Sequence, residues 1–115
     1  VLHTFFQMED GSFLAFFDDP NTPFDFKAQR DFDLHIALEV EHQQLEPMLE
    51  RGREAGIESR GISDHGFIES IYFRDPNGYV IELTARRPGQ EDNVGDEGDP
   101  HEILKKWTRA KVATQ

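Results

Sequence analysis

The stretch Ser70-Ile71-Tyr72-Phe73-Arg74-Asp75-Pro76-Asn77-Gly78-Tyr79-Val80-Ile81-Glu82-Leu83 leaves this chain few choices of fold. Ile71 and Phe73 alternate with polar neighbours, the pattern of a half-buried strand. Asp75-Pro76-Asn77-Gly78 carries turn chemistry, because Pro presets φ at the second position and Gly accepts the positive φ that closes a hairpin. The returning strand is apolar on both faces apart from Glu82, which sits between Ile81 and Leu83. An isolated buried carboxylate is costly unless it is paired or bound to a metal. The expected hairpin therefore requires a partner for Glu82.

His35 is the candidate partner. In Asp33-Leu34-His35-Ile36-Ala37-Leu38-Glu39-Val40, alternation puts Leu34, Ile36, Leu38 and Val40 on one face and His35, Ala37 and Glu39 on the other. Glu82 shares its own face with Val80 and Thr84. If the two strands are neighbours, His35 and Glu82 converge on one surface. An imidazole and a carboxylate make up much of the facial ligand set used by non-haem iron. The plainer description of a lone strand histidine is a hydrogen-bonded core or rim residue, and spacing alone leaves both open.

Composition narrows the classes of partner. The chain has 115 residues, 37% of them hydrophobic and ten of them Phe, which suits one domain with strands around a well-filled interior. No cysteine is present, so disulfides, thiolate metal sites and a Cys nucleophile are excluded. A formal net charge of -11 argues against nucleic acid or anionic membrane as partner. With no membrane-length apolar run and no signal-peptide pattern at the start, the expectation is a cytoplasmic protein. Glu91, Asp92, Asp96, Glu97, Asp99 and Glu102 form an acidic stretch without Lys or Arg, read as a solvated linker.

Along the chain, residues 3–17 read as a strand, an Asp10-Gly11 turn and a returning strand. Pro20 and Pro23 mark a connection. From Gln43 to about Ala55 the period becomes helical, with Leu45, Met48 and Leu49 on one face, Pro47 in the first turn and Gly56 as the stop. Residues 57–61 are a short strand or a connector, and Ser63-Asp64-His65-Gly66 reads as a loop. The tail forms a helix capped by Asp99, with Pro100 first and Glu102 completing a capping box. Ile103, Leu104, Trp107 and Ala110 line one side of it, for packing on the domain or a second subunit. Placing His3–Phe17 under Ser70–Thr84, an offset of 67 (70 − 3), sets Phe6 on Phe73, Gly11 on Gly78, Leu14 on Ile81 and Phe16 on Leu83. That register suggests a duplicated unit in which Ala15 stands where the second copy has Glu82.

The His35–Val40 strand, the helix ending at Ala55-Gly56, and the Tyr72-Phe73-x-Asp75-Pro76-Asn77-Gly78-x-x-x-Glu82-Leu83 pattern together resemble one module of the vicinal oxygen chelate superfamily. This is the group of glyoxalases, bleomycin-resistance proteins and extradiol dioxygenases. The resemblance implies an α+β fold of βαβββ modules curling a mixed sheet around a cleft, with the first module incomplete. It divides the chain into the latter part of a first module at 1–18, a connection at 19–32, a second module at 33–85, an acidic linker at 86–98 and a C-terminal amphipathic helix at 99–112. His35 and Glu82 fall on metal-ligand positions of the family. The family's third ligand, a His, comes from an opening strand that the chain lacks, so unrepresented sequence or another subunit would supply it.

The resemblance further implies a metal-dependent enzyme acting on a small molecule with adjacent oxygens. Ala15 turns the reading away from a standard glyoxalase I, which places an acid or amide ligand on both terminal strands. The preferred activity is extradiol ring cleavage with Fe(II), Tyr72 hydrogen-bonding the substrate and His65 acting as acid or base. A glyoxalase-like lyase or isomerase using Zn, Mn or Ni is the near alternative. A metal-free drug-binding protein is the other class. A homodimer is the expected assembly, with no nucleic-acid or membrane partner.

Overall fold

The computed structural model describes residues 1–23, 25, 30, 33–89 and 98–113. Within them the chain forms strands β1 (Leu2–Gln7), β2 (Phe13–Asp18) and β3 (His35–Glu39), a short 3-10 turn at His42–Gln44, helix α1 (Leu45–Glu54), strands β4 (Ser59–Asp64), β5 (Ile68–Arg74) and β6 (Val80–Arg86), and helix α2 (Pro100–Ala113). The acidic residues Glu91, Asp92, Asp96 and Glu97 lie outside the described residues.

Strands β3 to β6 form one mixed sheet in the order β3-β6-β5-β4, and β1 and β2 form a separate antiparallel pair. The parallel β3–β6 pairing joins strands separated by α1, β4 and β5, so α1 serves as the crossover that a parallel pair needs. α1 lays Leu45 and Leu49 on the sheet against Ile71, Leu83 and Ala85, with Leu38, Val40, Met48, Phe73 and Ile81 partly buried around them. The helix stops at Ala55, and Gly56 follows with a φ of 75° that an L side chain rarely adopts. The β5–β6 turn closes as expected: Asn77 and Tyr79 N–H donate to Asp75 Oδ1, and Gly78 N–H donates to the Asp75 carbonyl. This α+β arrangement, a four-strand mixed sheet beside a two-strand pair, agrees with the fold class that the sequence implied.

Three expectations need correction. The Phe residues of the first hairpin do not fill an interior. Phe5, Phe6, Phe13, Phe16 and Phe17 are all exposed, because among the described residues the β1–β2 pair carries no packed layer on either face. The stretch read as a loop from Ser63 is strand through Asp64, and only residues 65–67 turn. The α2 helix is capped by Asp99, whose Oδ1 accepts His101 N–H at 2.9 Å, yet its whole length is exposed and it packs on no other element among the described residues.

β4 contains the detail that matters most for the site. Its register against β5 shifts between Gly61 and Ser63, so that Gly61 faces Ile71 and Ser63 faces Ser70. This extra residue is a bulge, which re-aims every side chain after it. Gly61 has φ 134°, and a Cβ there would lie 2.9 Å from the Ser70 carbonyl oxygen, so only glycine fits. Arg60 before the bulge and Ser63 and His65 after it therefore look out on the same side, away from α1.

Candidate functional site

The face of the sheet opposite α1 collects the residues that the sequence singled out. In the β3–β6 register, Ala37 lies beside Glu82 and His35 beside Val80, which brings the two side chains to adjacent rows. His35 Nε2 stands 3.4 Å from Glu82 Oε1. Glu82 is only 8% exposed, so its sequestration, inferred from its apolar neighbours, holds. Its other oxygen is occupied: the fully buried Ser70 donates its hydroxyl to Glu82 Oε2 at 2.6 Å, and that hydroxyl also lies 3.0 Å from Thr84 Oγ1. One carboxylate oxygen is thus fixed from behind, and the other is turned toward His35.

Tyr72 sits directly across from Glu82 in the β5–β6 ladder. Burial pushes its hydroxyl above the ordinary value of 10.0, and the negative charge of Glu82 pushes the same way. The Ser70 hydroxyl and the Arg60 charge act in the opposite direction. Tyr72 therefore holds its proton. His65 Nε2 lies 2.6 Å from the Tyr72 hydroxyl, with the rings edge to face, and the Arg60 guanidinium sits 4.5 Å above the Tyr72 ring. All four named residues, His35, Glu82, Tyr72 and His65, come together on this face.

Two donors 3.4 Å apart have the spacing that one divalent ion imposes on a nitrogen and an oxygen at about 2.1 Å each. A neutral imidazole and a carboxylate are also the donor chemistry of such ions. The pair fits a metal. Among the described residues, however, no group of three or more His, Cys, Asp or Glu gathers as a complete ligand set. His3 does not join the pair. It stacks on Phe17 at 3.8 Å between ring centroids.

Ser70, Thr84 and Arg60 belong to the site, and sequence reasoning did not single them out as functional. Thr84 was placed on the Glu82 face, and Ser70 follows from the same alternation, two residues before Tyr72. Arg60 had no such signal, because its strand was not certain. Arg74 is structural: it donates to Glu58 Oε2 and to the Gly78 carbonyl, both at 2.7 Å, and so braces the turn. His42, paired with Glu69 at 3.0 Å, ties the start of the helical segment to β5 away from this surface.

Comparison with known proteins agrees with the fold. No family model matches the chain. It is 36% identical over 78 residues to the metallothiol transferase FosB of Shouchella clausii, an alignment covering 64% of this chain and 51% of that protein. The chain therefore spans about half the length of this curated relative. Among solved structures it is similar to a glyoxalase/dioxygenase from Nostoc punctiforme, with a TM-score of 0.63, 25% identity, and coverage of 74% of this chain and 60% of that one. It also superposes on the fosfomycin resistance protein FosX of Listeria monocytogenes, solved with Mn(II) and sulfate, with a TM-score of 0.56, 23% identity, and coverage of 91% and 70%. The duplicated-hairpin register has a structural counterpart as well. Phe6 pairs with Leu14 as Phe73 pairs with Ile81, and Phe5 pairs with Ala15 as Tyr72 pairs with Glu82.

Proposed function

We propose that the chain is a member of the vicinal oxygen chelate superfamily, and that His35 and Glu82 are two ligands of a divalent-metal centre in an enzyme that modifies a small molecule with adjacent oxygens. The observation that carries this is the divided carboxylate: Ser70 takes Oε2 at 2.6 Å, while Oε1 faces His35 Nε2 at 3.4 Å. Oε1 and the imidazole nitrogen stand at a separation that one bridging ion would span. A divalent ion held there supplies Lewis acidity, polarising the oxygens of the bound substrate.

The reaction we favour is metal-dependent transfer of a thiol nucleophile, of the kind named for the Shouchella relative. Ala15 is compatible with it, because this chemistry needs no acid on the first hairpin. In that reading Tyr72 keeps its proton and donates a hydrogen bond to a substrate oxygen, His65 orients the Tyr72 hydroxyl, and Arg60 adds positive charge on the side where an anionic substrate group would lie. No third ligand joins the pair among the described residues.

Extradiol ring cleavage with Fe(II) stays as the second reading, and one contact favours it. The 2.6 Å His65–Tyr72 pair couples a group that titrates near neutral pH to a phenol beside the ligand pair. The site would then bind a catechol rather than a phosphonate.

Metal content tests the premise that both readings share. The chain, purified without chelator and dialysed against Mn(II), Zn(II), Ni(II) or anaerobic Fe(II), is measured by mass spectrometry beside His35→Ala. The expected outcome is ion retention in the parent that is lost in the variant. Turnover is then assayed with fosfomycin plus a thiol, and with catechol plus O₂. Equal and negligible metal in both proteins would sink the metal centre and leave a metal-free small-molecule binder.

A further inference from the structure

His65 sits on the turn at 65–67, between β4 and β5, and it is exposed. Exposed turns sample many backbone states, and fixing a side chain on one costs entropy. Yet His65 Nε2 stands 2.6 Å from the Tyr72 hydroxyl. That contact requires a turn held from elsewhere. His65 N–H donates to the Ile68 carbonyl at 2.9 Å and Gly66 N–H to Asp64 Oδ1 at 2.8 Å, which closes the turn from within. The carbonyls of Gly66 and Phe67 both accept from one residue outside it. Arg87 Nη1 donates to the Gly66 carbonyl at 3.2 Å, and Arg87 N–H donates to the Phe67 carbonyl at 3.1 Å.

The strand before Arg87 places it there. Arg86, the last residue of β6, pairs with Ile68, so Arg87 N–H continues the ladder one step beyond the start of β5. Its side chain then meets two acids. Asp64 and Glu69 are cross-strand partners, and like charges set opposite each other repel. Arg87 Nη1 lies 3.2 Å from Asp64 Oδ2, and its Nε lies 3.8 Å from Glu69 Oε1. Glu69 Oε1 is also 3.0 Å from His42 Nε2, which anchors this cluster to the segment leading into α1. By alternation Asp64 and Glu69 lie on the Ile71 face, the side of α1, whereas His65 meets Tyr72 on the opposite face. The clamp is on one side of the sheet and the side chain it serves is on the other. A guanidinium suits this task, because its rigid fork offers donors in several directions at once.

We propose that Arg87 is a positioning residue of the candidate site: it locks the 65–67 turn from the α1 side and thereby holds His65 against Tyr72. The use of that contact in a reaction rests on the roles proposed for Tyr72 and His65 beside the metal pair, whereas the contact itself needs no ion. Arg87 acts through the turn and its flanking strands, not on substrate.

The ring nitrogen resonances of His65 in ¹⁵N-labelled, metal-free chain test this, read beside the melting temperature. Tyr72→Phe supplies the reference for an unbonded His65. Arg87→Gln is expected to lower the ratio of bonded to free His65 about fivefold, the most that one partly exposed ion pair usually contributes. Asp64→Asn keeps an acceptor for Gly66 N–H but removes the charge, and its expected effect is about twofold. Arg87→Lys keeps the charge without the fork and should fall between the parent and Arg87→Gln. Arg74→Gln, which loosens the β5–β6 turn instead, is expected to lower the melting temperature without moving His65. A His65 signal unmoved in Arg87→Gln and Arg87→Lys while the melting temperature falls overturns the proposal, since Arg87 is then structural only. An equal shift in Arg74→Gln overturns it too, as general loosening, and so does a parent whose His65 signal matches Tyr72→Phe. Every sample is free of metal, so a failure of the metal centre shows as absent ion uptake and leaves this result standing.

Discussion

The two hairpins share a register and almost nothing else. The cross-strand pairs of β5–β6 and β1–β2 match row for row, with apolar residues at matching rows. The second is flanked by β3 and β4 and backed by α1, and Ile71, Leu83 and Ala85 are buried there. Among the described residues the first has no layer on either side, and its phenylalanines face solvent. Burial is thus not a property of a strand's own sequence. It belongs to the strand together with the element whose apolar face meets it. The same holds for chemistry. The row that carries Phe5 and Ala15 in one hairpin carries Tyr72 and Glu82 in the other, and a carboxylate is tolerable there because Ser70 lies behind it and His35 beside it.

The sharpest way to break this comparison is to remove the acid. Glu82→Gln keeps the shape and is expected to lower Mn(II) affinity by more than about 100-fold, beyond what loss of a supporting hydrogen bond produces. The converse variant, Ala15→Glu, adds an acid at the matching row of the bare hairpin and should confer no binding. Isothermal titration of both variants checks the pair. In stability, Ile71→Ala removes a fully buried side chain and is expected to cost about 2–5 kcal/mol in urea denaturation. Phe5→Ala removes a larger ring from the exposed hairpin and should cost less than about 0.5 kcal/mol.

Smaller effects sharpen the comparison. Gly61→Ala forces a side chain into a backbone conformation that disfavours it and against the Ser70 carbonyl, with an expected cost of about 1–3 kcal/mol. Loss of the His65–Tyr72 contact should accompany it, seen as a change in the His65 ring resonances. The smallest effect is in titration. Because burial and the Glu82 charge raise the Tyr72 hydroxyl above 10.0, the native state keeps this proton after the unfolded chain has lost it. The contribution to stability is complete below pH about 10 and falls away as pH rises through the native value. Ultraviolet titration in a Tyr79→Phe background isolates Tyr72, and adding Glu82→Gln should move its midpoint down but not to the ordinary value, since burial remains.

Much of this was legible in the residues. The 70–83 pattern set a hairpin, the alternation around His35 set which side chains share a face, and the buried acid set the demand for a partner. Those inferences rest on local periodicity, and local periodicity survives folding. The bulge was not legible, although Gly61 inside a strand pattern is its usual signature. With the strand read as ending near it, the alternation that carries His65 to Tyr72 could not be counted. The exposure of the first hairpin was out of reach for a different reason: five phenylalanines signal a core, and only tertiary structure reveals whether anything arrives to cover them.

The parallel pairing of β3 with β6 carries a last consequence. His35 and Glu82 belong to strands with a helix and two further strands between them along the chain. In an unfolded chain nothing holds these donors near each other, and closing so long a loop costs entropy before any contact repays it. The His35–Glu82 contact is therefore a long-range event that forms only when the crossover is complete. An ion that recognises it recognises the native topology, and its binding would raise the melting temperature by mass action. Metal uptake and cooperative folding should then appear as one transition rather than two.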